Sequence, residues 1–184
     1  KNDLSNISKK LKKKISKNLS EEEALEIFKD IGIQIVDYKV SFNEKQAIEH
    51  SSQIGFPLAM KVLSNKILHK TETGGVELNI KNLDELKTSF QKLSDVFQKL
   101  KMKSSDEKFL IQKMEKGIAE IILGYRVDEL VGPIVVLGSG GILSEIYNDK
   151  SIRMAPVDIT EAKKMIKEVK SLVAITGYLS LIHI

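Results

Sequence analysis

Ile54-Gly55-Phe56-Pro57-Leu58-Ala59-Met60-Lys61-Val62-Leu63-Ser64 is the stretch on which the fold turns. The Gly-Phe-Pro step stops whatever helix precedes it, because proline cannot continue a helix and holds the residue before it extended. The run from Leu58 to Leu63 is short and apolar, and it reads as a strand. Alternation puts Leu58, Met60 and Val62 on one face and Ala59, Lys61 and Leu63 on the other. An ammonium group in the middle of such a strand is costly to bury unless an anion partners it. The other account is an edge strand whose lysine reaches water along its own stem. The strand alone leaves both readings open.

Seven residues beyond that lysine begins Leu68-His69-Lys70-Thr71-Glu72-Thr73-Gly74-Gly75-Val76. Hydroxyls, an imidazole, a cation and paired glycines suit a loop that covers phosphate, since glycine lets backbone N–H groups approach closely. A hydrophilic hairpin turn would have the same composition. No Gly-Lys-Ser/Thr follows, so the loop is not a Walker motif. A second glycine run, Gly138-Ser139-Gly140-Gly141, falls short of a dinucleotide-binding pattern. Leu143 stands where the third glycine belongs, and Ile142–Tyr147 reads as strand where that site needs a helix. A tight turn between antiparallel strands is the better account. Among acidic residues on strands, Glu120 shares a face with Ile122 and Gly124, and Glu145 shares one with Leu143 and Tyr147. A carboxylate so placed can hold ribose hydroxyls, a metal or a basic partner, or simply form a salt bridge. His50 and His183 have no partner at useful spacing, and no nucleophile elbow is present.

Around these segments, Ser20-Glu21-Glu22-Glu23 matches a capping box and opens a helix ending near Gly32. Further helices are expected after Asn43, from about Leu83 (Leu86, Phe90, Leu93, Phe97) and from near Thr160 (Ala162, Met165, Ile166, Val169). Strands are expected at Leu58–Leu63, Val76–Ile80, Phe109–Met114, Glu120–Val127, Ile134–Leu137 and Ile142–Tyr147. Alternating helices and strands, then successive strands, predict a mixed α+β protein with two sheets. The 184 residues suffice for one domain or two small lobes. A composition 42% hydrophobic and 29% charged excludes disorder of the whole chain. The longest apolar runs, such as Pro133 to Leu137, are far below the ~18 residues of a membrane span. The absence of cysteine excludes disulfides, thiolate metal sites and cysteine nucleophiles. Residues 1–18 carry seven lysines against Asp3, so this segment holds +6 of a net +4 and leaves −2 for the rest. The basicity therefore belongs to the N-terminal segment and reads as a solvated linker or a short amphipathic docking helix through Leu4, Ile7, Leu11 and Ile15, with no aromatic residue for base stacking. No apolar stretch follows the basic start, so no leader is read and the cytoplasm is the expected compartment.

Taken together, several of these segments resemble the ATP-grasp domain of ADP-forming acetate (acyl)–CoA ligases. The resemblance is carried by Ile54–Ser64, by Ile67-Leu68-His69-Lys70, by Gly74-Gly75-Val76-Glu77-Leu78-Asn79, by Gly132-Pro133-Ile134-Val135-Val136-Leu137-Gly138-Ser139-Gly140-Gly141-Ile142 and by Arg153-Met154-Ala155-Pro156. It covers about residues 19–170 in the right order. It implies an ATP-grasp fold of two α+β lobes with nucleotide in the cleft between them. Lys61 would meet the ATP phosphates, and the His69–Gly75 loop, with Lys70, Gly74 and Gly75, would cover them. Phe109–Met114 would line the adenine pocket through Gln112 and Met114, and Glu120 would hold the ribose. His69 would be a phosphoryl acceptor. The implied reaction converts acyl-CoA, ADP and phosphate reversibly to acid, CoA and ATP, through acyl phosphate and phosphohistidine, with Mg²⁺ on the phosphates.

The resemblance also sets the expected organisation: a lysine-rich linker at 1–18 and an ATP-grasp domain at 19–184. The family's acidic stretch that supplies metal ligands does not occur before Ile184, so the chain reads as a C-terminally truncated fragment, inactive in isolation, with its metal ligands unassigned. Expected partners are CoA-binding domains or an alpha subunit, fused or separate, and the acyl-CoA or carboxylic acid substrate; no nucleic acid or membrane partner is expected. Two alternatives stand beside this one: a regulatory ATP-grasp-like module of a protein lysine acetyltransferase, and a succinate–CoA ligase-like subunit. Lys61 and His69 favour the ligase.

Overall fold

Helix starts follow the polar caps written in the sequence. In α1 (Glu21–Asp30), Ser20 Oγ accepts the Glu23 N–H at 3.2 Å while the Glu23 carboxylate accepts the Ser20 N–H at 2.9 Å. Two of the donors that a helix start leaves open are thereby satisfied. Asn43, Asn82 and Asp158 cap α2 (Glu44–Ile54), α3 (Leu83–Lys99) and α4 (Ile159–Glu168), each accepting a backbone N–H three residues on. The chain leaves α2 at Gly55, whose φ of 81° lies in the left-handed region. The computed structural model describes residues 19–64, 73–100, 107–141 and 148–178. The lysine-rich segment, most of the His69 loop and the strand expected at Ile142–Tyr147 lie outside them.

The chain divides into two units, Lys1–Glu115 and Lys116–Ile184. The first is built on a four-stranded antiparallel sheet of β1 (Tyr38–Ser41), β2 (Leu58–Val62), β3 (Val76–Ile80) and β4 (Phe109–Lys113), in the order β1-β4-β2-β3. One face carries Leu58, Met60, Val62, Ile80, Phe109 and Ile111, and it packs on Ala47 of α2 and Leu86, Leu93 and Phe97 of α3. Phe109 is wholly buried, with ring centroids 4.4 Å from Phe90 and 5.4 Å from Phe97. The second unit holds a three-stranded antiparallel sheet, β5 (Ile121–Asp128), β6 (Gly132–Ser139) and β7 (Lys150–Met154), with β6 central. Met165 of α4 and Leu172 of α5 (Lys170–Tyr178) are buried, and so is Val169, the extended residue that separates the two helices.

Two sheets with helices on a mixed α+β plan agree with the sequence reading. Two strands, β1 and β7, were not anticipated. The apolar pattern from Thr160 to Val169 gave α4 but not the break after it.

Candidate functional site

β2 is an interior strand, hydrogen-bonded to β4 on one side and β3 on the other. This disposes of the edge-strand account of Lys61. Opposed residues of antiparallel strands share a face. Lys61 stands opposite Leu110 and Val76, and Ala59 stands opposite Gln112, which in turn opposes Tyr38. Lys61 and Gln112 therefore share the face turned away from the α2–α3 core. The anion that a half-buried ammonium requires is Glu21, the first residue of α1, whose carboxylate accepts from Lys61 Nζ at 2.6 Å. Burial raises the Tyr38 hydroxyl above the ordinary tyrosine range, and the nearby Glu26 and Glu22 carboxylates add to it.

The residues at the end of β4 are held by main-chain and sulfur contacts. Lys113 donates from Nζ to the Gly55 and Phe56 carbonyls, at 3.2 and 3.0 Å, and Met114 N–H donates to the Pro57 carbonyl at 3.1 Å. A bulge in β3 leaves Asn79 at φ 57°, and its N–H donates to Met114 Sδ at 3.1 Å. A main-chain N–H of β3 thus meets the side chain that follows β4. Gln112 and Met114 are both half-buried.

Of the loop residues expected to cover phosphate, Gly74 and Gly75 are described. Gly74 is exposed at φ 71°, and buried Gly75 accepts the Val62 N–H at 2.9 Å, which brings the end of the loop alongside Lys61. His69 and Lys70 lie outside the described residues.

In the second unit Glu120 sits just before β5 and lines a cavity of about 800 Å³, with Ser139, Gly140, Asn148, Lys150 and Lys170. Asp149, also on its wall, caps α5: its carboxylate accepts the Lys170 and Ser171 N–H groups at 3.0 and 2.8 Å. Those donors hold the Asp149 carboxyl below the usual carboxylate range. Beside it, Arg153 joins Glu161 at 3.0 Å to Glu168, and both carboxyls are lowered: Glu168 by Arg153 and Ser151, and Glu161 by Lys164 and Arg153. This network ties β7 to α4. Among the described residues no three His, Asp or Glu side chains converge into a cation site, and no helix is long and apolar enough to cross a membrane.

A family model described as the ATP-grasp domain matches residues 10–181. The chain belongs to the ATP-grasp family. It is 38% identical, over 86% of its length, to the beta subunit of acetate–CoA ligase [ADP-forming] I from Pyrococcus furiosus, spanning 68% of that protein. It is 35% identical over 88% of its length to the 4-hydroxybutyrate–CoA ligase [ADP-forming] of Nitrosopumilus maritimus, of which it spans only 23%. Its fold matches a dinucleotide forming acetyl-coenzyme A synthetase 1 of Ca. Korarchaeum cryptofilum, solved with coenzyme A and Ca-AMPCP, at TM-score 0.80 and 30% identity, covering 94% of this chain and 75% of that one.

This ATP-grasp domain also holds residues that the sequence reading passed over. Glu21 was read only as part of a helix cap, yet it is the partner of Lys61. Its signal was the lysine itself, which called for an anion from somewhere in the chain. His50 was read as incidental, and its Nδ1 lies 2.8 Å from the Oγ of wholly buried Ser41. Asn79 gave no local signal.

Proposed function

We propose that this chain is the ATP-binding part of an ADP-forming acyl-CoA ligase, with residues 1–18 as a linker and 19–184 as the nucleotide-binding domain. The observation that carries the reading is Lys61: an ammonium held on an interior strand, on the face opposite the core and alongside the end of the glycine loop. Phosphoryl transfer needs positioning and charge neutralisation more than covalent chemistry from the protein. In this reading Lys61 and Lys70 neutralise phosphate charge, and Gly74 and Gly75 let the backbone approach the phosphates. Gln112 and Met114 meet the base, and Glu120 accepts from the ribose hydroxyls. His69 takes the phosphoryl group of an acyl phosphate on a ring nitrogen, releasing the acid, and passes it to ADP to give ATP. The acyl phosphate forms when phosphate displaces CoA from acyl-CoA, on CoA-binding domains or an alpha subunit, fused or separate.

Mg²⁺ would shield the phosphate charge when bound. Among the described residues no three His, Asp or Glu side chains form a cation site. The ligase relatives favour this reading over an acetyltransferase module or a succinate–CoA ligase-like subunit. The cytoplasm suits a reaction that interconverts ADP with ATP and acyl-CoA with CoA. Calorimetric titration tests the nucleotide site: ATP and ADP should bind saturably and more tightly than adenosine. Adenosine binding as tightly as ATP would overturn the phosphate role of Lys61.

A further inference from the structure

Ser139 and Gly140 of the run Gly138-Ser139-Gly140-Gly141 line the cavity beside Glu120, but no role has been given to its glycines. Their geometry gives them one. The β5–β6 ladder ends at the pair Ile121–Ser139, so Gly140 lies beside Glu120. Gly140 N–H donates to the Glu120 carbonyl at 2.7 Å. A Cβ on Gly140 would come within 2.9 Å of both the carbonyl carbon and the Cβ of Glu120. Those atoms are backbone or fixed to it, so a side chain at 140 displaces Glu120 itself. Gly141 then turns at φ 76°, and a Cβ there would stand 3.3 Å from Glu120 Oε2. The two glycines thus omit two side chains at two points: one against the Glu120 backbone, one against its carboxylate. Gly124 in the same sheet differs, because a Cβ there would meet only Val136 Cβ at an ordinary 3.9 Å. Gly138 is tight as well, with a Cβ 3.2 Å from the Asp149 carbonyl, but of Gly124, Gly138 and Gly140 only Gly140 presses on Glu120.

We infer that Gly140 and Gly141 form a seat that aims the Glu120 carboxylate into the 800 Å³ cavity, and that they are positioning residues for recognition of the nucleotide's ribose. The inference rests on the proposed role of Glu120. A flat glycine turn here does what a bulkier turn cannot: it lets β6 close on the residue that leads into β5 while leaving that residue's side chain free to meet a ligand. The seat sets the direction of one carboxylate.

The test compares binding of ATP and 2′,3′-dideoxy-ATP, which lacks the ribose hydroxyls, to the protein and to Glu120→Ala, Gly140→Ala, Gly141→Asn and Gly124→Ala. Asparagine tolerates the left-handed backbone at 141, so Gly141→Asn serves if Gly140→Ala does not fold. The unmodified protein should prefer ATP by about tenfold or more, the scale of a charge-assisted hydrogen bond. Gly140→Ala and Gly141→Asn should bring the two ligands close to parity while dideoxy-ATP affinity stays constant, and Gly124→Ala should keep the full preference. Adding Gly140→Ala to Glu120→Ala should change the ratio no further. If the preference is lost in Glu120→Ala but kept in both seat variants, the seat is wrong and the ribose reading stands. If Glu120→Ala keeps the preference, the ribose reading fails and the seat falls with it.

Discussion

Replacing Lys61 by methionine separates a phosphate ligand from a structural cation, because the two roles predict different magnitudes in different assays. The Lys61 and Glu21 side chains are 23% and 28% exposed, so water already reaches the pair. Breaking a pair of that kind costs about 0.2–1 kcal/mol. Methionine keeps most of the apolar stem contacts, and Glu21 retains another interaction. The unfolding free energy of Lys61→Met, from urea melts, should therefore fall by less than about 1 kcal/mol. A charge-assisted hydrogen bond to phosphate is worth about 1.5–3 kcal/mol. At 1.4 kcal/mol per tenfold, ATP and ADP affinity measured by calorimetry should drop by about 10- to 150-fold, with adenosine unaffected. The reasoning is refuted by the reverse pattern: a stability loss of about 3–5 kcal/mol, the figure for breaking a buried pair, with ATP affinity unmoved.

Two further outcomes follow from the packing and the charge arrangement. Phe109→Ala empties the centre of the first unit's core, where Phe90 and Phe97 meet it, and should cost about 3–5 kcal/mol in urea unfolding; a cost below about 1 kcal/mol would show that this side chain is not the core's centre. The Asp149 carboxyl is lowered because it accepts the N–H groups that open α5, so the folded protein binds fewer protons there than the unfolded chain. Its contribution is then complete above the ordinary aspartate value of about 4 and fades as pH falls through the lowered value. Melting temperature against pH should show a shallower acid limb for Asp149→Asn than for the unmodified protein, and parallel curves would remove Asp149 from the acid response.

What could be read from the sequence was local. The capping box at Ser20, the stop at Gly55-Phe56-Pro57 and the helical spacing of Leu86, Leu93 and Phe97 each act within a few residues, and each gave an element at the right place. The strand around Lys61 was legible too, but whether it lay inside or at the edge was not, since that depends on β4 pairing with it from fifty residues away. β1 is four residues long and is a strand because Tyr38–Ser41 finds Phe109–Gln112. The break after α4 is tertiary as well: Asp149 takes the two N–H groups that would otherwise have continued the helix. The same limit hid the ion pair of Lys61, forty residues from Glu21. It also hid the use of Gly140, which as a sequence motif looked only like a turn and whose reason is Glu120, twenty residues earlier.

If this domain handles the phosphoryl group of an acyl-CoA ligase reaction, phosphate labelling at His69 tests it most directly. The protein, with its CoA-binding partner domains where these are separate, is incubated with ATP labelled in the γ-phosphate, and the label is mapped by peptide sequencing. The account predicts a base-stable, acid-labile label on His69 that ADP removes as ATP, absent in His69→Asn although that variant still binds nucleotide. A protein that forms acyl-CoA at full rate with His69→Asn, or carries its label elsewhere, would contradict the account.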